Sequence, residues 1–179
     1  MLRHLLTERS ESIVEGWFRG VIEAYPSDSV GFLRDEKDQF RNPVGHTLRR
    51  EIGVLYSALS EGLEPEALRT ALDNIVRILA LQDMRPARAM AFVFLLKGVV
   101  RKELQDEPGS KQLDDELREF ESRIDGLALE AFDCFMDCRE TIYKIRASEA
   151  DRRSAKLLER INKVYGDKSC QSDRRTESR

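Results

Sequence analysis

The chain is poor in the residues that interrupt helices: 10 glycines and 5 prolines among 179 residues. With 41% hydrophobic and 35% charged residues, this is the balance of a helical globular chain and not of a disordered one. Cysteine is scarce and odd in number, at Cys134, Cys138 and Cys170. Met1-Leu2-Arg3-His4 leads into further charges and not into the apolar stretch of a signal peptide, so the expected setting is a reducing cytoplasm. Long hydrophobic runs are missing too. The longest, Ala89 to Leu96, is closed by Lys97, far short of the roughly 20 residues that span a bilayer. No membrane-spanning segment is expected. Nor does one sign of charge dominate: the net charge is −3, the pI is near 5.6, and Lys and Arg are interspersed with Asp and Glu. A phosphate backbone finds no basic face here, so nucleic acid is not expected as a partner.

The chemistry of catalysis is also missing. There is no Ser, His and Asp arrangement, no phosphate-cradling glycine loop, no HExxH and no paired-cysteine metal motif. The reading is of a non-enzyme with no catalytic residue, no metal and no cofactor.

What is present is helical periodicity over a length that suits one core. Leu5, Leu6, Ile13, Trp17, Val21 and Tyr25 recur largely at three- and four-residue steps until Pro26, which predicts a helix over about residues 2–25 with a break near Ser10. Residues 26–45 carry Pro, Ser, Asp, Asn and Gly and read as an ordered loop tied down by Phe32, Leu33 and Phe40. Leu48, Ile52, Leu55, Tyr56 and Leu59 restart the pattern, and Gly62 sits where a left-handed cap ends a helix. Pro65 and Pro86 each open a further helix, since a proline in the first turn forfeits no hydrogen bond. The second of these, apolar nearly all round, is expected to be the most buried.

From Ser110 the positions Leu113, Leu117, Phe120, Ile124, Leu127, Ala131, Cys134 and Cys138 form a heptad seam. The seam fails in the charged stretch Arg146 to Arg153, and a second stripe, Leu158, Ile161 and Tyr165, follows in another phase. These patterns divide the chain into a helical domain over 1–146, a separate or bent helical arm over 147–165 and a disordered tail over 166–179. The fold class is all-α, a single domain of about five to six helices with a long C-terminal helix. A seam this long suits an intersubunit contact, so Leu117, Ile124 and Leu127 are expected in the interface of a homodimer.

Few side chains stand out as site candidates. Cys134 and Cys138 share a helix face, but two ligands do not make a zinc site and both lie in the seam, where small apolar residues belong. Arg77 is the only polar side chain in Ile75 to Leu81, which predicts an enclosed guanidinium paired with Asp73, one turn earlier, or with Asp38 and Asn42 of the loop; a plain helical ion pair with Asp73 or a snorkelling arginine is its structural reading, an internal anion or partner site its functional one. Lys97 is expected to snorkel. His46 reads as a solvated first-turn histidine, with a proton switch or a haem ligand as its functional reading.

Two strings carry a family resemblance. Glu36-Lys37-Asp38-Gln39-Phe40-Arg41-Asn42-Pro43-Val44-Gly45 is the first; the second is Arg77-Ile78-Leu79-Ala80-Leu81-Gln82-Asp83-Met84-Arg85-Pro86, leading into Ala91 to Lys97. Over about residues 10–145 the chain resembles the RsbRD N-terminal domain family, the sensory modules of RsbT co-antagonist proteins. The resemblance implies a regulatory helical domain, similar to haem-free globin-like domains that dimerise and relay stress or ligand signals to a C-terminal STAS domain. About 35 residues follow Ile145, too few for that output domain, so a stand-alone member is expected to signal through its own surface or its arm to a regulatory protein partner. The alternative is a haem-binding or other small-molecule-binding globin-like protein with His46 as an axial ligand.

Overall fold

The computed structural model describes residues 1–23, 25, 30, 31, 33, 40–62, 65–82, 84–109 and 111–176, with the side chains of 164–176 excepted. Six α-helices carry the described residues: α1 (Leu2–Glu8), α2 (Ser10–Glu23), α3 (Pro43–Glu61), α4 (Pro65–Leu81), α5 (Pro86–Glu103) and α6 (Lys111–Thr176). No strand occurs among them, and none of these helices is long and apolar enough to cross a membrane.

Punctuation in the sequence sets the helix ends. The expected break at Ser10 is a turn at Arg9, whose guanidinium reaches across to the carbonyl of Glu103 and the carboxylate of Glu107. Gly62 ends α3 with φ 77°, a left-handed conformation that glycine adopts without a Cβ penalty. Pro65 and Pro86 stand first in α4 and α5. A third proline-led helix departs from the sequence reading. α3 starts at Pro43, within the segment expected to be loop, because Asn42 caps it.

The chain divides into two compact units, Met1–Cys138 and Arg139–Arg179. In the first, α3 packs against α4 and α2, and α2 against α5. Trp17, Phe18, Ile22, Leu48, Ile52, Leu55, Tyr56 and Leu72 fill its core. Two polar groups taken inside find partners: Trp17 Nε1 donates to the Phe92 carbonyl at 2.6 Å with the two rings stacked, and the Tyr56 hydroxyl donates to the Leu6 carbonyl at 2.7 Å, whereas the buried Tyr25 hydroxyl has none among the described residues. Burial raises the Tyr56 pKa. Leu113, Phe120, Ile124, Leu127, Ala131 and Phe135 close the core from α6. That part of α6 is held to α1 by Leu2 N donating to Glu116 Oε2 at 2.6 Å, and to α3 by Arg123 Nη1 donating to the Leu59 carbonyl at 3.0 Å.

The helix expected to be most enclosed, α5, buries Ala89, Met90, Phe92, Val93 and Leu96 but leaves Phe94 and Leu95 partly exposed. In α6 the backbone continues through the charged stretch Arg146 to Arg153, where a separate or bent arm was expected, and past Gly166. Residues 177–179 of the expected tail lie outside the described residues. In the second unit every side chain from Tyr143 to Lys163 is exposed. Turn-to-turn pairs such as Lys144 with Glu140, at 3.2 Å, decorate its surface.

Candidate functional site

Of the first sequence string, Asn42 and Gly45 shape the entry to α3. Asn42 is 1% exposed; its Oδ1 accepts from Gly45 N at 2.8 Å and its Nδ2 donates to the Leu33 carbonyl at 3.0 Å. One side chain thus caps α3 and fastens the preceding segment to it. Gly45 has no room to be anything else: a Cβ there would lie 2.3 Å from Asn42 Nδ2 and 2.6 Å from the Leu33 carbonyl oxygen. Asp38 and Phe32 lie outside the described residues. Phe40, expected to tie the loop down, is 86% exposed, and buried Leu33 does so with Asn42. His46 stands exposed in the first turn of α3.

Arg77 is not enclosed. Ile75, Val76, Leu79 and Ala80 form the buried face of α4, and both Arg77 and Leu81 fall outside it. Its Nε still meets Asp73 Oδ2 at 2.7 Å, with the arginine side chain 68% exposed, so it forms a surface ion pair one helical turn long. Cys134 and Cys138 of α6 are half-buried free thiols near this pair. Desolvation first, then the negative charge of Asp73, raises both thiol pKa values, which makes them poor nucleophiles. No group of three or more His, Cys, Asp or Glu able to hold a metal occurs among the described residues.

Lys97 has a partner rather than a free path to solvent: its Nζ lies 2.6 Å from Asp125 Oδ1. Arg101 grips Glu121 through Nε at 2.6 Å and Nη2 at 2.8 Å. One pair steps forward four residues on α5 as it steps back four on α6, so the two helices run antiparallel.

The seam of α6 faces inward. Ile124 and Leu127 are 0% and 3% exposed and Leu117 is half-buried, so the core of the same chain covers the residues expected at a dimer interface. What α6 leaves open is a different stripe: Leu129 is 72% exposed, Phe132 43% and Met136 46%. Phe94 of α5, 48% exposed, stands one turn before Lys97, and the register of the two ion pairs brings it level with Ala128, in the turn of α6 that carries Leu129. The steps of three and four from Leu129 to Met136 were a signal in the sequence, overlooked because the inward seam shares that period.

Charge is the second missed signal. Residues 111–138 of α6 hold nine acidic and three basic side chains, a net charge of −6; residues 139–163 hold eight basic and four acidic, a net charge of +4. The near-neutral total conceals this separation. In the second unit Leu157, Leu158 and Ile161 are 58%, 60% and 50% exposed, and Arg152, Lys156 and Lys163 occupy the opposite side of the helix at 100° per residue.

The family model described as RsbT co-antagonist protein rsbRD N-terminal domain matches residues 11–150. No curated protein and no solved structure matches the chain.

Proposed function

Since the chain belongs to the RsbT co-antagonist protein rsbRD N-terminal domain family, we propose that it is a non-catalytic sensory or regulatory module of bacterial stress signalling that acts through protein contacts as a homodimer. The observation that carries this reading is the open apolar stripe Leu129, Phe132 and Met136 on α6. Water-facing side chains of this size, repeated at helical steps, mark contact surfaces in stable domains. The burial of Ile124 and Leu127 in the core of their own chain favours this stripe over them as the contact.

The test is a capture experiment from source-cell extract with the full chain and its Phe132→Glu/Met136→Glu variant as bait, each checked for helix content. Specific regulatory proteins retained by wild type and lost by the variant are expected. Equal capture by both baits would remove the stripe from the function.

A further inference from the structure

Within the first unit a cavity of about 260 Å³ opens between the start of α1, the end of α3 and α6. Leu2 and Leu6, both buried, give it an apolar floor. Ordinary ligand pockets run from roughly 300 to 1,000 Å³, so this one admits a molecule of amino-acid size and nothing as large as a nucleotide.

Both signs of charge line this space. Arg3 Nη2 donates to the Glu61 carbonyl at 2.9 Å and Arg123 Nη1 to the Leu59 carbonyl at 3.0 Å, so each arginine spends one N–H on the last turn of α3. Each guanidinium keeps further donors in its plane, and neither has a salt bridge among the described residues. Three carboxylates share the cavity with them. Glu116 is already engaged: it accepts from Leu2 N at 2.6 Å and from Gln112 Nε2 at 3.0 Å, and these bonds hold its pKa below the usual value. The carboxylates of Glu61 and Glu119 have neither a hydrogen bond nor a salt bridge among the described residues. The buried Ser60 hydroxyl is turned away, donating to the Tyr56 carbonyl at 2.8 Å.

A lone anion entering here meets two arginines, but also three carboxylates and the negative end of the α3 dipole; a lone cation meets the arginines. A molecule that carries both charges sets each against its opposite. Its carboxylate takes the spare N–H groups of Arg3 and Arg123, its ammonium the carboxylates of Glu61 and Glu119, and a short aliphatic side chain rests on Leu2 and Leu6. We infer that this cavity is a binding site for a free α-amino acid with a short aliphatic side chain. Its purpose rests on the sensory reading proposed above, and its chemistry is independent of dimerisation.

The test is titration calorimetry on the full chain with L-leucine as the probe, and saturable binding is expected. L-leucinamide, which lacks the carboxylate, and 4-methylpentanoate, which lacks the ammonium, are each expected to bind at least about tenfold more weakly. Glu61→Gln/Glu119→Gln removes carboxylates that bond nothing in the free chain, so its helix content by circular dichroism stays that of wild type. The same variant is expected to weaken L-leucine at least about tenfold and 4-methylpentanoate not at all. Either singly charged analogue binding as tightly as L-leucine overturns the zwitterion site. No binding of L-leucine up to about 10 mM, the weak end of measurable affinity, overturns it as well, as does binding indifferent to the double substitution. The contact reading fails separately: Phe132→Glu/Met136→Glu is expected to bind L-leucine as wild type does, whatever it does to partner capture.

Discussion

Asn42 makes two hydrogen bonds at once, one into the first turn of α3 and one back to Leu33. Removing the amide strands a buried N–H and a buried carbonyl together. Asn42→Ala is expected to cost about 2 kcal/mol and lower the thermal midpoint by about 5 °C, read by circular dichroism. Asn42→Asp should recover only part of this, because a carboxylate still accepts from Gly45 N but cannot donate to the Leu33 carbonyl. The string holding Asn42 was visible in the sequence, yet its role was not: a conformation-setting asparagine and a ligand-binding one look alike until the carbonyl it bonds is located. Arg77 shows the converse. Six apolar neighbours suggested enclosure, but a run of seven residues covers nearly two helical turns, so some of those neighbours, Leu81 among them, had to point outward with the arginine.

Among the elements, α6 is the one whose two faces must be told apart. Ile124 is wholly buried, and Ile124→Ala is expected to destabilise the chain by about 2–5 kcal/mol through the cavity it leaves. Phe132→Glu, further along the same helix, should change the chemical-denaturation stability of the monomer by less than about 0.5 kcal/mol, the range of ordinary surface substitutions. If both substitutions destabilise alike, the division into a core face and a contact face fails. The heptad steps from Leu113 to Ala131 were legible because burial imposes the period. They could not say which chain does the burying, since an intrachain core and a dimer seam demand the same spacing. The helix starts at Pro65 and Pro86 were equally legible, as proline acts locally. Pro43 was missed because Asn42 caps α3 within a segment rich in loop residues.

At the scale of the molecule the all-α class followed from composition and period alone, while the division at Cys138 did not. The sequence suggested a boundary near residue 146, where the apolar pattern fails; the division falls earlier, three residues past Phe135, the last large side chain that α6 buries. A chain ended after Cys138 is expected to unfold cooperatively within a few degrees of the full chain, and to keep dimerising through Leu129, Phe132 and Met136, which it retains. Calorimetry and light scattering check the two halves of that statement. Loss of folding in the shortened chain would show that residues beyond Cys138 are part of the core's support. The single tryptophan supplies an internal reporter for such work. Trp17 is fully enclosed, stacked on Phe92 and hydrogen-bonded to its carbonyl, so its fluorescence emission is set by the α2–α5 contact and shifts to the red only when water reaches that contact. Residues 139–179 contain no tryptophan, and a melt followed by this emission is therefore blind to them: what it sees and what far-ultraviolet ellipticity sees in the same sample differ by the behaviour of the second unit.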